Sequence, residues 1–115
     1  MKINYEQIEQ DYPKAYGMFK QSKYYRVSEQ GYHLFDDRDL YDFFDEHELY
    51  VEVFRGDKNW FFEAYNKDFV ASDYSEKHKS RTEAEACAFN AAFKLLEETL
   101  SNWTSADNLK REFGV

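Results

Sequence analysis

Near the start of the chain, hydrophobic residues recur at helical spacing. Four of them lie at i, i+4, i+7 and i+11 on one helix face, namely Ile8, Tyr12, Ala15 and Phe19. Asn4, followed three residues later by Gln7, is typical of a capping box at a helix start. Pro13 lacks an N–H and disfavours helical geometry at the residue before it. We therefore predict two short helices between Asn4 and about Ser22, the second opening at Pro13.

The stretch Asp36–Glu48, which we call the acidic segment, combines an apolar stripe with many carboxylates. Its apolar side chains fall on one helical face, formed by Leu40, Phe43, Phe44 and His47. Asp36 or Asp37 can cap its start, and early carboxylates suit the positive end of the helix dipole. The pattern predicts a short amphipathic helix with a charged outer side.

After the acidic segment the hydrophobic period changes from helical to alternating. Leu49–Phe54 and Asn59–Tyr65 both alternate in the manner of strands, and the sequence Arg-Gly-Asp-Lys between them supplies a turn. The pair predicts an antiparallel hairpin with Trp60, Phe62 and Ala64 on one side. Phe69–Ser72 is a candidate third strand, so the sheet is predicted to have two or three strands.

The clearest helical pattern runs from Ser80 to Trp103. Ser80 and Glu83 match a capping box, with Thr82 and Glu85 as an alternative register. Its large apolar residues keep helical spacing: Phe89, Phe93, Leu96, Leu100 and Trp103. Small side chains widen this stripe and would let the helix lie close on a sheet, so we dock it across the hairpin. Glu97 falls on the polar side, and the polar tail 104–115 is predicted to fray.

These elements predict a single α+β domain over residues 1–103. It has an N-terminal helical region, a short acidic helix and an antiparallel sheet of two or three strands, covered by a long C-terminal helix. Aromatic residues occur on both sides of the hairpin, and one helix can cover only one of them. The second sheet face must then be covered by the N-terminal segment or by another copy, so a homo-oligomer stays open.

The composition of the 115-residue chain is acidic and rich in aromatic residues, with a formal charge of −8 and 20% Phe, Tyr and Trp. One Cys excludes an intramolecular disulfide and a zinc site built on several cysteines, and four Gly leave little for a phosphate-binding loop. No apolar run approaches the ~18 residues of a membrane span, and the start lacks the apolar core of a secretory signal. We expect a cytoplasmic protein with no membrane contact and no cofactor.

Most of the negative charge comes from the acidic segment, where seven carboxylates are opposed only by Arg38. They form the candidate interaction surface: Asp36, Asp37, Asp39, Asp42, Asp45, Glu46 and Glu48. Such a surface could bind a basic protein partner or imitate the charge of DNA. The leading functional hypothesis is accordingly a non-enzymatic interaction protein.

The acidic segment admits two other interpretations, a calcium-binding loop and the active site of a hydrolase. A calcium loop starting at Asp37 fails, because Tyr41 takes a ligand position and Asp42 stands where glycine must make the turn. A small carboxylate-dependent hydrolase would need two carboxyl groups in a cleft with different pKa values, and no Ser or Cys nucleophile can be assigned to it. His33, His47 and His78 lack ligand spacing, and Cys87 lies on an apolar stripe, as expected of a buried thiol.

One basic cluster precedes the last helix. Lys77, Lys79 and Arg81 could hold an anion near the helix start, which makes a nucleic-acid-binding module the alternative function. The overall charge of −8 argues against nucleic acid as the partner.

The start of the last helix carries a resemblance to a known family. Ser80–Ala86 (SRTEAEA), leading into AFNAAFKLLEETL, resembles the last helix of a double-stranded-RNA-binding domain, whose layout is α-β-β-β-α. In that family several lysines at this helix start grip phosphate, whereas here Arg81 stands beside Glu83 and Glu85. The resemblance therefore implies the layout and not the RNA binding.

A second resemblance spans Phe35 to Trp103. The run RDLYDFFDE, a Tyr/Val hairpin with Trp in its second strand, and SRTEAEACAFNAAFKLLE are similar to small uncharacterised proteins encoded by phages and mobile elements of gut Bacteroidetes. This resemblance implies a compact helix–sheet–helix protein and an accessory role in such an element. It implies no chemistry.

Overall fold

A computed structural model describes residues 3–67, 69–72 and 78–113 of the chain and has an α+β fold. Its four helices are α1 (Tyr5–Asp11), α2 (Pro13–Lys20), α3 (Asp37–Glu46) and α4 (Arg81–Phe113). Its strands are β1 (Tyr50–Arg55), β2 (Trp60–Tyr65) and β3 (Val70–Ser72). The order from α3 to α4 is α-β-β-β-α, as predicted.

The break between α1 and α2 confirms the interpretation of Pro13. The Asn4 side chain accepts a 3.1 Å hydrogen bond from the Gln7 amide and caps α1. Tyr12, with φ −131° and ψ 62°, lies outside helical geometry, and Pro13 occupies the first turn of α2. The missing N–H of proline costs nothing there, because first-turn amides have no helical acceptor.

Helix α3 begins with a reciprocal cap. The Asp36 side chain accepts a hydrogen bond from the Asp39 amide at 3.1 Å, and the Asp39 side chain accepts one from the Asp36 amide at 3.0 Å. Leu40, Phe43 and Phe44 are fully buried, as their spacing predicted. The sequence therefore predicts both where this helix starts and which of its faces is buried.

The sheet is antiparallel with strand order β1-β2-β3, so the third strand is present. The hairpin register pairs Tyr50 with Tyr65 and Arg55 with Trp60. The inner face includes buried Phe62 and Ala64, and α4 packs across β1 and β2. The predicted hairpin and its docking under the long helix are confirmed.

Aromatic rings join the helices in the core. Phe19 of α2 lies 5.0 Å from Phe43 of α3, and Phe44 of α3 lies 4.9 Å from Phe93 of α4, between ring centroids. All four rings are fully buried, and edge-to-face pairs of this kind add about 0.5–1.5 kcal/mol each beyond their buried area. The aromatic cluster thus fixes α3 against α4, where the candidate site lies.

Helix α4 starts as predicted but ends later. The Ser80 hydroxyl accepts a 3.2 Å hydrogen bond from the Glu83 amide. The helix continues to Phe113, beyond the predicted end near Trp103. The tail contains no Pro, and its first helix-breaking residue is Gly114, which follows the observed end.

The outer face of the sheet is not the packing surface of the N-terminal helices. Helix α2 packs against α4 instead. Tyr50 is 42% exposed and Val70 66% exposed. The outer sheet face was predicted to be covered by the N-terminal segment or by another copy of the chain. The N-terminal segment therefore does not cover it.

Candidate functional site

The carboxylates of the acidic segment divide into groups with different roles. Asp39 serves the α3 cap and also pairs with Arg26, whose Nη2 lies 3.0 Å from its Oδ2. The hydrogen bond from the Asp36 amide, together with Arg26, holds the pKa of the Asp39 carboxyl below its usual value. Asp36 and Asp39 are thus occupied in stabilising the helix start.

A second structural pair lies at the other end of α3. The Tyr24 hydroxyl donates a 2.6 Å hydrogen bond to Glu46, and the Lys23 ammonium lies 3.3 Å from the same oxygen. The Tyr24 hydrogen bond, and then Lys23, lower the pKa of the Glu46 carboxyl. Glu46 therefore ties the segment after α2 to the end of α3.

Three carboxylates of the acidic segment stay available. In the part of the chain that the structure describes, Asp42, Asp45 and Glu48 make no hydrogen bond or ion pair through their side chains. Asp42 and Asp45 follow Arg38 at i+4 and i+7, so Arg38, Asp42 and Asp45 lie on one side of α3, where Arg38 and Asp45 are exposed and Asp42 is half-buried. We call Arg38, Asp42 and Asp45 the α3 face.

Asp37 differs from the other six because it interacts with α4. Its carboxyl group is hydrogen-bonded to that of Glu85, which lies 48 positions later in the chain and forms the α4 side of the pair. This hydrogen bond, partial burial and the neighbouring negative charge together raise the pKa of Asp37 to about 6. The Glu85 carboxyl group favours the protonated form of Asp37, because two neighbouring negative charges repel each other.

Two further side chains hold Glu85 in place. The Tyr41 hydroxyl donates a 3.1 Å hydrogen bond to Glu85 Oε2, and the Arg81 Nε lies 3.6 Å from the same oxygen. Burial and the adjacent Glu85 carboxylate raise the pKa of the Tyr41 hydroxyl, so it remains a hydrogen-bond donor.

The Asp37–Glu85 pair separates two open clefts. On one side is an apolar cleft of about 240 Å³, which is also lined by Ile3, Tyr5, Thr82, Ala86 and Phe89. On the other is a charged cleft of about 450 Å³, which is also lined by Arg38, Tyr41, Asp42 and Arg81. The charged cleft joins the α3 face to the start of α4, so carboxylates from both helices border one continuous surface.

The predicted anion contact is only partly described. Lys77 lies outside the described residues. The Lys79 amide donates a 3.2 Å hydrogen bond to Glu83, and Arg81 lies beside Glu85. The described members of the basic cluster therefore stand among carboxylates rather than on a cationic patch.

The other chemistry-bearing residues do not assemble a site. Within residues 3–67, 69–72 and 78–113, no group of three or more His, Cys, Asp or Glu side chains is placed to hold a metal ion. Cys87 is half-buried, not fully buried as its apolar stripe suggested. Among the described helices, none combines the length and apolar character needed to cross a membrane.

Sequence reasoning found Asp37 and missed Glu85 and Tyr41. By sequence, Glu85 was placed in an alternative cap register and beside Arg81, and Tyr41 only at a position of the rejected calcium loop. The signal for Arg81 and Glu85 was their i,i+4 spacing, but no local pattern shows that α3 packs beside them. Comparisons with protein-family models, curated proteins and solved structures found no match to this chain.

Proposed function

We propose that the chain is a non-enzymatic interaction protein that binds a partner protein through the α3 face and the adjoining charged cleft. The observation that carries this proposal is that half-buried Asp42 and exposed Asp45 lie on one side of α3 without a side-chain partner among the described residues. Asp37 and Glu85 border the same surface and add negative charge. A surface of this kind favours a cationic partner.

The arrangement of the carboxylates supports binding over hydrolysis. General acid–base catalysis needs groups that converge on a reacting atom in a cleft. Asp37 interacts with the Glu85 carboxyl group of α4, while Asp36, Asp39 and Glu46 are used in local structure. Exposed carboxylates on the outside of a helix are better suited to steering and recognition.

The partner that this surface fits is a protein with Lys and Arg side chains arranged to meet negative charges. A protein that grips a DNA backbone has such a surface, so the chain could compete with DNA for it. The net charge of −8 would speed the encounter at low salt. An accessory role in a phage or mobile element, as the sequence resemblance suggests, is consistent with such competition.

Direct binding of nucleic acid has weaker support. It would need Lys79 and Arg81 to present a cationic surface, but Arg81 lies 3.6 Å from Glu85 and the turn before α4 is bonded to Glu83. Phosphate groups approaching this helix start would meet both carboxylates.

The proposal is tested by charge reversal with a matched control. The probe is a short lysine-rich peptide carrying a fluorophore, titrated with wild-type protein and with Asp42→Lys/Asp45→Lys. The control Glu29→Lys/Asp57→Lys makes the same change in net charge at two exposed residues that lie off the α3 face. We expect the first variant to weaken binding by at least about tenfold and the control by about threefold or less. Equal losses in the two variants would show that only net charge matters, and would refute the proposal.

A further inference from the structure

A pair of tyrosine rings lies on the outer face of the sheet, away from α4. Tyr50 of β1 stands directly opposite Tyr65 of β2, with ring centroids 5.6 Å apart and planes at 43°. The Tyr65 hydroxyl donates a 3.3 Å hydrogen bond to Glu52, the next outward residue of β1. Tyr50 is 42% exposed, so a ring face is accessible to a ligand.

The rings border a depression of about 220 Å³, whose other lining residues are Glu48, Asn66 and Lys67. Glu48 is the last carboxylate of the acidic segment, and its backbone φ of 55° turns the chain from α3 into β1. Its amide donates to the Asp45 carbonyl and the next amide to Phe44, which fixes this turn. The Glu48 carboxylate has no side-chain partner among the described residues.

The other polar residues that line the depression are Asn66 and Lys67. The Asn66 side-chain oxygen accepts a 2.7 Å hydrogen bond from the Phe69 amide and shapes the β2–β3 turn. Lys67 is exposed at the rim and contributes one positive charge, against the negative charge of Glu48 in the lining and that of Glu52, which accepts from the Tyr65 hydroxyl outside it. The region around the two rings is therefore aromatic and net negative.

This combination selects a particular cation. Aromatic faces attract cations through the negative charge of the ring face, and the attraction is worth about 0.5–1 kcal/mol at exposed sites. A guanidinium is planar, so it can stack on a ring and donate two parallel hydrogen bonds to a carboxylate, which an ammonium cannot do. Glu48 lines the depression, has no side-chain partner among the described residues, and supplies such an acceptor.

We infer that the depression at Tyr50 and Tyr65 is a binding site for an arginine side chain in an extended basic segment of a partner protein. The site is separate from the α3 face and does not depend on it. Side chains that face one side of an extended segment recur every second residue. The outer face repeats at the same interval, since Tyr50–Tyr65 is followed by Glu52–Glu63 and then by Phe54–Phe61.

The test uses two short peptides that differ only in having arginine or lysine at alternate positions between glycines. Binding is followed by the chemical shifts of the tyrosine ring protons. We expect the arginine peptide to shift Tyr50 and Tyr65 and to bind at least about fivefold more tightly than the lysine peptide. Equal affinities of the two peptides, or binding that does not change the ring-proton shifts of Tyr50 and Tyr65, would overturn the inference.

Variants assign the binding to the depression. Tyr50→Leu removes one ring and Glu48→Gln removes one charge without removing bulk, and each should weaken arginine binding by about fivefold. Their matched controls are Tyr32→Leu, at a tyrosine that is 72% exposed elsewhere, and Glu29→Gln; both should bind as wild type does. If Glu48→Gln folds and binds normally, the inference is wrong even if Tyr50→Leu is unstable.

The two surfaces are distinguished by one further comparison. Asp42→Lys/Asp45→Lys should leave the preference for arginine over lysine unchanged, because those residues do not line the depression. Loss of that preference in this variant would mean that arginine binds at the α3 face and would overturn the inference. The outcome of the lysine-rich peptide experiment does not bear on it.

Discussion

The Glu97 carboxylate of α4 accepts the backbone N–H of Lys14 in α2, at 2.7 Å to one oxygen and 3.2 Å to the other. The two residues are 83 positions apart. Tyr12, which precedes Pro13, makes no side-chain cap for α2. A residue on the long helix therefore supplies the cap that the local sequence lacks, and it binds the N-terminal helices to α4.

Removing this long-range cap should destabilise the protein. Glu97→Ala leaves a first-turn amide of α2 without its acceptor, so we expect the free energy of unfolding to fall by about 1–2 kcal/mol. Glu98→Ala is the matched control, because Glu98 is exposed and its side chain makes no described contact. Urea denaturation should show a change within about 0.5 kcal/mol for the control. Equal effects of the two variants would contradict the capping role.

Substitutions in the acidic segment should distinguish carboxylates that stabilise the fold from those that have no side-chain partner among the described residues. Asp39→Ala breaks the reciprocal cap and the contact with Arg26, and should lower stability by about 1–2 kcal/mol. Asp45→Ala, on the same helix, should change stability by no more than about 0.5 kcal/mol. Thermal unfolding at low salt measures both. A loss in Asp45→Ala as large as that in Asp39→Ala would show that the division is wrong.

The Asp37–Glu85 pair predicts a distinct pH dependence. The folded-state pKa of Asp37, about 6, exceeds its ordinary value of 3.8, so the folded state holds this proton more tightly than the unfolded chain. Its contribution to stability is full below about pH 4 and is lost as the pH rises through about 6. Asp37→Asn removes this loss and retains a hydrogen-bond donor toward Glu85.

The variant should therefore gain stability relative to wild type as the pH rises from about 5 to about 7.5. Because the group is partly exposed, solvent screening limits the gain to about 1 kcal/mol. Comparing variant with wild type at each pH cancels the opposite trend of Asp39 and Glu46, whose lowered pKa values stabilise the fold as pH rises. A difference that stays constant with pH would contradict the raised pKa of Asp37.

Two glycines should respond to alanine with opposite signs. Gly17 lies inside α2 with no neighbouring atom within 4 Å of an added Cβ, so Gly17→Ala should stabilise the protein by about 0.5–1 kcal/mol. Gly31 has φ +87°, in the left-handed region, so Gly31→Ala should destabilise it by about 1 kcal/mol. Melting temperatures that shift in the same direction for both variants would contradict the local geometry at these sites.

Local patterns predicted most of the fold. The caps at Asn4, Asp36 and Ser80 and the break at Pro13 were all readable, because each depends on residues within a few positions of one another. The hairpin was predicted from the alternation of hydrophobic and polar residues on both sides of a turn. In contrast, the end of α4 at Phe113 was not predicted, since polarity was taken as a sign of fraying.

The candidate site was predicted only in part. The density of carboxylates identified the acidic segment, but not which of its members would be used in caps and ion pairs. Asp37 meets Glu85, and Glu97 meets Lys14, because α3 and α2 pack on α4, and no local spacing reports such packing. The same holds for the pairing of Tyr50 with Tyr65, which depends on the hairpin register.

The most direct test of the proposed function is to map where a cationic ligand binds. Backbone amide chemical shifts are recorded while a short lysine-rich peptide is added to the full chain. The proposal predicts that the largest changes fall in α3 around Asp42 and Asp45 and at the start of α4 near Glu85. Changes confined to other parts of the chain, with α3 unaffected, would contradict it.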